Sequence, residues 1–307
     1  MKSVAIASGK GGTGKTTLTA VLAWMAAREL GVTLADADVE ASNLPLALQV
    51  HSQTCTAFQS GGQAQISEAD CSGCGLCQEV CRFEAILHPR PEVFRVDSLS
   101  CEGCGHCVRV CPTGAIKMLP TCIGEACQGQ CRTGPIAFGQ LTPGQDLSGR
   151  LVTEVRRLGL EAAQEKGSDL LLIDGPPGTG CPLIAALAST DLVLAVTEPT
   201  LSGAHDLERL VQVSARFRIP VRVVLNKADL APEGARNLRE TCQARGLPIW
   251  AEIPYDPVFA GTLQAMSAGP RFQPRTDSEA WIAAGEVWEA LVRELDLPAK
   301  LVARQET

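Results

Sequence analysis

The 307-residue chain has few aromatic side chains, no excess of positive charge and no long apolar run. Aromatic residues make up 4% of it, which leaves little for stacking on nucleic-acid bases. The formal net charge of −7 also discourages nonspecific attraction to phosphate backbones or anionic lipid. No apolar stretch approaches the roughly 20 residues of a membrane-spanning helix, and no secretory signal pattern opens the chain. We therefore expect a cytoplasmic protein with no membrane anchor and no nucleic-acid partner.

Cysteine, by contrast, is abundant, with 14 in the chain. Eight of them form two runs of C-x2-C-x2-C-x3-C spacing, the second at an offset of 30 residues from the first. In such a run three close thiolates bind one 4Fe-4S cluster and the fourth reaches the other cluster. The predicted ligands are Cys71, Cys74, Cys77 and Cys111 for the first cluster, and Cys101, Cys104, Cys107 and Cys81 for the second. Neither half should fold without metal.

The duplication extends beyond the cysteines, because four further residues return at the same offset: Gly73, Gly75, Ala85 and Ile86 as Gly103, Gly105, Ala115 and Ile116. Paired C-x2-C elements also make tetrahedral zinc sites, but three thiolates at successive x2 intervals, twice over, favour a cubane. A disulfide framework does not suit the cytoplasmic protein expected from the composition. We therefore expect the cysteines to be ligands in a reducing compartment.

A glycine-rich loop follows the short apolar strand at the start of the chain. Residues 9–16 satisfy the phosphate-binding pattern G-x4-G-K-[ST], between a predicted strand and a predicted helix. Backbone amides and the helix N-terminus favour phosphate there. We assign Lys15 to the β- and γ-phosphates, Thr16 to Mg²⁺ and Thr17 to the α-phosphate. The predicted nucleotide-binding residues of this loop are Gly9, Lys10, Gly11, Gly12, Thr13, Gly14, Lys15, Thr16 and Thr17.

Short apolar runs alternate with amphipathic stretches outside the cysteine-rich segment, which predicts an α/β fold with a mostly parallel sheet flanked by helices. The predicted strands are 4–7, 32–35, 170–173, 192–196, 221–225 and 249–253, and a helix is predicted over 14–30. The pattern breaks between about 63 and 120. We therefore predict a discontinuous ATPase domain of residues 1–62 and 121–307, with residues 63–120 as an inserted ferredoxin-like α+β domain.

A helix near the C-terminus places several large apolar residues on one face: Trp281, Trp288, Leu291, Val292 and Leu295. Its other face is acidic, whereas membrane-surface helices prefer lysine and arginine there. We expect this helix to dock on the core.

Lys10 sets this loop apart from an ordinary phosphate-binding loop. The stretch Ser8 to Thr17 resembles the deviant Walker A motif of the MinD/ParA/Mrp and nitrogenase iron protein superfamily. Further matches are Asp36-Ala37-Asp38 with Asn43, Asp174 to Gly180, Asn226 to Asp229, and Ile253 to Asp256. The phrases Thr197-Glu198-Pro199-Thr200 and Ser148 to Val152 resemble, more narrowly, MinD/ParA-type P-loop ATPases that carry a ferredoxin insert.

The resemblance implies roles for individual residues. Lys10 would reach the γ-phosphate held by the partner subunit of an ATP-sandwich homodimer. Asp38 would orient or activate the attacking water, and Asp174 would hold the magnesium shell through water, although either aspartate could instead be a helix cap or loop residue. Asn226 would contact adenine, with Pro254 beside the nucleotide. The segment from Asn226 to Asp229 also fits the guanine-recognition motif of GTPases, but the deviant loop favours ATP.

The other cysteines and the histidines are less informative. Cys122, Cys127 and Cys131 could form a third metal site if a fourth ligand came from elsewhere, or could be inert buried thiols. Cys181 follows Asp174 by seven residues, the offset of a bridging-cluster ligand in the nitrogenase iron protein, yet Cys181-Pro182 could simply start a helix. The remaining four residues are expected to have no ligand role, with the two cysteines in the core and the two histidines structural or at the surface: Cys55, Cys242, His106 and His205.

The combined hypothesis is an enzyme that hydrolyses ATP to ADP and phosphate. ATP and Mg²⁺ bound in a homodimer would gate electron transfer through two 4Fe-4S clusters to a redox or metallocluster protein. An iron-sulfur assembly or carrier ATPase is the alternative, and it requires labile clusters. A positioning ATPase is a third possibility, without the basic or amphipathic tail expected of one. The partner and the cluster potentials are not encoded in any motif.

Overall fold

The computed structural model describes residues 1–90, 93–98, 100–145, 148–269, 272, 274 and 276–298. The chain divides into two compact units. The larger comprises Met1–Thr56, Ala126–Leu141 and Ser148–Thr307, and the smaller comprises Ala57–Glu125 and Thr142–Leu147.

The helices and strands follow one another along the described residues in this order: β1 (Lys2–Ser8), α1 (Lys15–Ala26), β2 (Val32–Asp36), α2 (Leu44–Ala47), β3 (His51–Gln59), β4 (Gln63–Ile66), α3 (Leu76–Glu79), β5 (Ile86–Arg90), β6 (Val93–Val96), α4 (His106–Val110), β7 (Ile116–Leu119), β8 (Cys122–Cys131), β9 (Gly134–Leu141), α5 (Ser148–Lys166), β10 (Leu170–Pro177), α6 (Cys181–Leu187), β11 (Leu192–Thr197), α7 (Leu201–Arg216), β12 (Val221–Asn226), α8 (Pro232–Ala244), β13 (Ile249–Ile253), α9 (Pro257–Ala260), α10 (Thr262–Ser267) and α11 (Glu279–Leu295).

The main sheet has the strand order β13-β12-β11-β1-β10-β2-β9-β8-β3. Its strands from β13 to β9 pair in parallel, which confirms the predicted α/β fold with a mostly parallel sheet. Strands buried on both faces read as continuous apolar runs, and β1, β10 and β11 have this character. Each predicted strand is present, and most extend one to four residues further. The parallel arrangement brings the carboxyl ends of β1, β10 and β2 to one edge of the sheet.

Three strands of this sheet were not predicted: β3, β8 and β9. Strand β3 is polar and exposed at nearly every position, so it carries no apolar signal. Strand β8 contains three cysteines and two glycines, and β9 contains two glycines and a proline, residues that typically mark loops, bulges or metal sites rather than strands. The chain enters the smaller unit within β3 and leaves it within β8, so that unit spans more residues than the predicted insert of 63–120.

Helix α11 docks on the core of the larger unit, as predicted. Trp281 is 2% exposed, and its ring lies 5.8 Å from those of Trp24 and Phe259 in edge-to-face geometry. The other four residues of the predicted apolar face are also buried. No helix among the described residues combines the length and apolar character needed to cross a bilayer.

The smaller unit contains two antiparallel strand pairs, β4 with β7 and β5 with β6, together with the short helices α3 and α4. Glycines in the left-handed conformation, Gly75 and Gly105, precede the two helices at equivalent points of the repeat. The unit's small core is made of Ala64, Cys77, Ile86, Phe94, Cys107 and Ile116. Four more cysteines pack against this core while partly buried: Cys71, Cys81, Cys101 and Cys111.

We expect Trp281→Ala to lower the free energy of unfolding by about 3–5 kcal/mol, because it leaves a cavity beneath α11. Urea unfolding monitored by circular dichroism measures this loss. Ile282→Ala is the matched control on the same helix, since Ile282 is 41% exposed and its truncation should cost less than about 1 kcal/mol. Equal losses in the two variants would show that α11 does not dock as described.

Candidate functional site

The glycine-rich loop between β1 and α1 has the backbone of a phosphate cradle. Gly12 and Gly14 have φ angles of 78° and 92°, in the region that favours glycine. A Cβ on Gly14 would lie 2.4 Å from Nδ2 of Asn226. That side chain donates a hydrogen bond of 2.7 Å to the carbonyl oxygen of Thr13, so Asn226 at the end of β12 fixes the loop. Glycine is therefore required at position 14 for both conformation and space.

A cleft of about 780 Å³ opens beside this loop. It brings together nine of the predicted nucleotide and catalytic residues: Gly11, Gly12, Gly14, Lys15, Thr16, Thr17, Asp38, Asn226 and Pro254. Apolar side chains from the segment after β13, including Tyr255, Phe259 and Leu263, line the cleft as well. The sequence motifs did not indicate these three residues. The cleft thus combines polar groups at the loop with an apolar wall, the usual character of a small-molecule site.

Gly9, Lys10 and Thr13 lie on the opposite side of the loop, where they line a small separate cavity with residues of β11 and α7. A Cβ on Gly9 would overlap that of Asp206, so α7 packs directly on the loop. Lys10 is not among the described residues that line the cleft. The structure therefore separates the two lysines of the motif, with Lys15 at the cleft and Lys10 outside it.

Three aspartates meet at the carboxyl edge of the sheet. Asp174 on β10 pairs in register with Asp36 on β2, and both side chains are buried. Burial raises the pKa of Asp174 to about 6, against the lowering effect of the Thr16 hydroxyl and the Lys15 charge. Burial also raises the pKa of Asp38, while Lys15 lowers it. One carboxylate oxygen of Asp174 accepts a hydrogen bond of 3.0 Å from Thr19, and the other has no partner among the described groups.

Asp36 organises the segment that carries Asp38. Its carboxylate accepts hydrogen bonds from the hydroxyl of Ser42 at 2.8 Å and from the backbone amides of Asp38 and Leu44, both at 3.1 Å. Burial, followed by the charge of Asp174, raises the pKa of Asp36 well above its usual range. In the sequence, Asp36 was recognised only as part of a motif. Its place directly after an apolar strand is the signal that could have identified it as a positioning residue.

Glu198 pairs with two lysines, Lys10 outside the cleft and Lys227 at its lining. Its carboxylate lies 2.9 Å from Nζ of Lys10 and 2.5 Å from Nζ of Lys227, and Lys227 also donates to the carbonyl oxygen of Gly12 at 3.1 Å. Burial alone would raise the pKa of Glu198, but the hydrogen bonds from the two lysines outweigh it and lower the pKa. Lys10 therefore has an ion-pair partner within its own chain. Neither Glu198 nor Lys227 was predicted as a site residue, although both lie in quoted motifs.

The eight cysteines of the two runs lie around two small cavities of the smaller unit. One cavity is lined by Cys71, Cys74, Cys77 and Cys111, and the other by Cys101, Cys104, Cys107 and Cys81. Each cavity thus combines three thiols of one run with the last thiol of the other. Among the described residues, these thiols form no group of three whose sulfurs all lie within 4.8 Å of one another.

The surroundings of these thiols differ. Cys77 and Cys107 are buried, and burial raises the pKa of both. Burial acts in the same sense on Cys111, but hydrogen bonds from the Thr113 hydroxyl and from backbone amides outweigh it and lower the pKa of that thiol. Cys74 and Cys104 are exposed.

The remaining cysteines depart from two expectations. Cys55 is not a core residue, because it is exposed on β3 and forms a disulfide with Cys127. The expectation that the cysteines are ligands in a reducing compartment therefore does not hold for this pair. The predicted trio of Cys122, Cys127 and Cys131 is not brought together as a site: Cys127 is in the disulfide, Cys122 is exposed, and Cys131 is buried with its thiol 3.1 Å from the carbonyl oxygen of Gly134.

Cys242 is a core residue, as expected, whereas the roles of Cys181 and the two histidines stay predictions. Cys242 is buried in α8. Cys181 is exposed at the start of α6, where Pro182 follows it. His205 is exposed on α7, and His106 begins α4 between two cysteines of the second run.

Residues 4–264 match the CbiA family, described as the CobQ/CobB/MinD/ParA nucleotide binding domain. The chain belongs to this family. Among curated proteins it is similar to the uncharacterised proteins MJ0578 and MJ0579 of Methanocaldococcus jannaschii. It is 32% identical to the first over 253 residues, which cover 82% of this chain and 84% of that protein. It is 30% identical to the second over 231 residues, which cover 75% of this chain and 82% of that protein.

Among solved structures, the fold is similar to that of the septum site-determining protein MinD from Pyrococcus horikoshii, solved in complex with Mg-ADP. The TM-score is 0.57 with 21% identity, over 98% of this chain and 99% of that one. The architecture of this member of the nucleotide-binding family is thus that of a MinD/ParA P-loop protein.

We expect Gly14→Ala to lower the free energy of unfolding by about 1–3 kcal/mol, because the new methyl group is strained at a positive φ and collides with Asn226. Urea unfolding without nucleotide measures this loss. Gly11→Ala is the control in the same loop, since Gly11 has no positive φ and no atom lies within 4 Å of the place its Cβ would take. If Gly11→Ala destabilised the chain as much as Gly14→Ala, the described loop geometry would be incorrect.

Proposed function

We propose that this member of the family is an ATP-hydrolysing iron-sulfur protein, in which nucleotide turnover in a homodimer gates electron transfer through two 4Fe-4S clusters to a partner protein. The observation that carries the proposal is the pair of four-cysteine cavities, present in a chain that also has a complete phosphate-binding cleft.

The cleft provides the groups that phosphoryl transfer requires. Lys15 would supply cationic charge at the phosphates, and the Thr16 hydroxyl, which interacts with the carboxylate of Asp174, would be a magnesium ligand. The unpartnered oxygen of the buried Asp174 is suited to a water of the metal shell. Asp38 lines the same cleft and could orient water at the γ-phosphate. Bound Mg²⁺ would neutralise charge that develops on the phosphates. The Pyrococcus MinD of the same fold was solved with Mg-ADP, which supports a nucleotide and Mg²⁺ as ligands of this chain.

Adenine suits the cleft better than guanine. In a guanine-recognition motif the aspartate carboxylate accepts hydrogen bonds from the base. Asp229 instead accepts a hydrogen bond of 2.6 Å from the backbone amide of Tyr255, and it is not among the described residues that line the cleft. Asn226 and Pro254 line the cleft, which favours ATP.

The cysteine cavities fit 4Fe-4S clusters. The crossed grouping of thiols is the one expected of the bacterial two-cluster spacing. A tetrahedral zinc ion, with Zn–S near 2.3 Å, would require its four sulfurs to lie about 4 Å apart. No three of these thiols lie within even 4.8 Å of one another in the described structure. The spacing therefore favours a larger group, and the small core of this unit suggests that such a group supplies much of its stability.

A homodimer is supported by the face that carries Lys10. Leu201, the first residue of α7, is 90% exposed and follows Thr200, whose hydroxyl lies 3.4 Å from Nζ of Lys10. A lysine of the phosphate-binding motif that lies outside the cleft of its own chain suits a role at the cleft of a second subunit. On this proposal Lys10 leaves Glu198 when it reaches the partner's γ-phosphate.

An iron-sulfur assembly or carrier ATPase is the second candidate. The exposure of Cys74 and Cys104 favours it, because accessible thiolates allow a cluster to be passed to an acceptor. A positioning ATPase is a third candidate, since the Pyrococcus relative in fold is a septum site-determining protein, but identity of 21% supports the fold alone. Cluster lability separates the first two candidates, and a protein without clusters would favour the third.

We expect anaerobically prepared protein to contain about eight iron atoms and eight acid-labile sulfides per chain. A redox titration followed by electron paramagnetic resonance should show that ATP with Mg²⁺ shifts at least one cluster potential or accelerates reduction of an acceptor. ADP is the matched control. Zinc in place of iron would contradict the cluster assignment. Stable clusters with no response to ATP would contradict gating, and rapid loss of iron to an apo-acceptor would favour the carrier.

We expect Lys15→Ala to weaken ATP binding at least tenfold, because Lys15 lines the cleft of its own chain. Lys10→Ala should retain most of the binding and lose ATP-dependent dimerisation and turnover, because Lys10 lies outside that cleft. Fluorescent-nucleotide titration, analytical ultracentrifugation and phosphate release measure the three properties. Lys227→Ala measures separately the loss of the other lysine on Glu198, a lysine that also lines the cleft and contacts the loop at Gly12. Parental turnover by Lys10→Ala would exclude the sandwich-dimer mechanism.

A further inference from the structure

The two cysteine cavities are related by the repeat but are chemically unequal at one equivalent position. Two residues after the crossing cysteine, the first cavity has Thr113 and the second has Phe83. The hydroxyl oxygen of Thr113 lies 3.7 Å from the sulfur of Cys111, within hydrogen-bonding reach of a thiolate. Phe83 offers no donor to Cys81. The duplicated sequence therefore places a hydroxyl at one cavity and an aromatic ring at the other.

A second difference between the two cavities also favours reduction of a cluster in the first one. Next to the first cysteine of each run, the first cavity is lined by Ser72 and the second by Glu102. A carboxylate near a cluster disfavours an added electron, whereas a neutral hydroxyl does not. Arg82, which would act in the opposite sense, is exposed and is not among the described residues that line the second cavity.

The direction of the Thr113 contact is fixed once metal is bound. A metal-bound cysteine has no proton on sulfur, so the sulfur can only accept and the Thr113 hydroxyl must donate. Reduction adds negative charge that spreads onto the sulfurs, and a donor to sulfur stabilises that charge. Hydrogen bonds of this kind therefore raise a reduction potential.

We propose that Thr113 makes the cavity of Cys71, Cys74, Cys77 and Cys111 the electron-accepting end of the pair, with a higher reduction potential than the cavity of Cys81. This inference rests on the proposed function, because it requires both cavities to hold clusters. Transfer moves one electron from the second site to the first, so that one is oxidised and the other reduced, and no bond is formed or broken. Thr113 acts as a positioning residue through Cys111.

The test is a redox titration of the full chain, reconstituted anaerobically, with dithionite as reductant and the signals of the reduced clusters as readout. Because His106 also lines the second cavity, every protein is titrated at one alkaline pH. The parent should give two one-electron waves. Thr113→Val, which keeps the shape and removes the hydroxyl, should lower the upper wave alone by about tenfold in the reduction equilibrium constant, or 59 mV. Thr113→Ser should restore the parental potential.

The reciprocal variants test the same position in the other cavity. Phe83→Thr should raise the lower wave, whereas Phe83→Val, which adds no donor, should raise it much less. A single wave in the parent would overturn the inference, as would a Thr113→Val variant that shifts the lower wave or neither wave. The iron content distinguishes failure of the proposed function from failure of this inference alone. A chain that binds no iron overturns the proposed function and this inference together, whereas two clusters with unresponsive potentials overturn this inference alone.

Discussion

The nucleotide site depends on the meeting of three parallel strand ends at one edge of the sheet. Strand β10 lies between β1 and β2, with Asp174 paired in register with Ile6 on one side and with Asp36 on the other. This register places the glycine-rich loop, the buried carboxylate of Asp174 and the segment of Asp38 around a single point. In open α/β sheets ligands bind outside the carboxyl ends of the strands, and here that edge carries most of the cleft's polar groups.

The same arrangement lowers the stability of the folded state when no cation is bound. Asp36 and Asp174 are neighbouring buried acids, and burial raises the pKa of both. An acid whose pKa is raised by folding destabilises the folded state when it ionises, so the loss grows as pH rises from the unfolded pKa near 4 toward the folded value of Asp174, about 6. Lys15 offsets part of this loss. A magnesium ion at Thr16 would offset more, so cation binding and folding stability should be linked in this family member.

The sequence predicted the buried parallel strands but not the contacts between distant segments, and the reasons are physical. The seven parallel strands from β13 to β9 include six that were predicted, because buried strands must be apolar and must end before the polar residues of the loops. Strand β3 could not be found in this way, since its side chains face water and its pairing depends on distant residues. Residue types and motif spacing were enough to predict Lys15 and Asp38 as candidate site residues and to predict the crossed grouping of the cysteines. They could not show that Lys10 pairs with Glu198, or that Cys55 meets Cys127, because both contacts join segments far apart in the chain.

The discontinuity of the larger unit has a consequence for how the chain folds. Strand β2 pairs with β9 across the whole of Ala57–Glu125, so the sheet is completed only after that segment has been synthesised. If the segment is an unfolded loop, closing it costs about 3–4 kcal/mol of chain entropy. A segment already folded around metal has its ends fixed and avoids most of that cost. Cluster insertion would then act as a chain-shortening event, which stabilises the nucleotide-binding unit through the entropy of its connection alone.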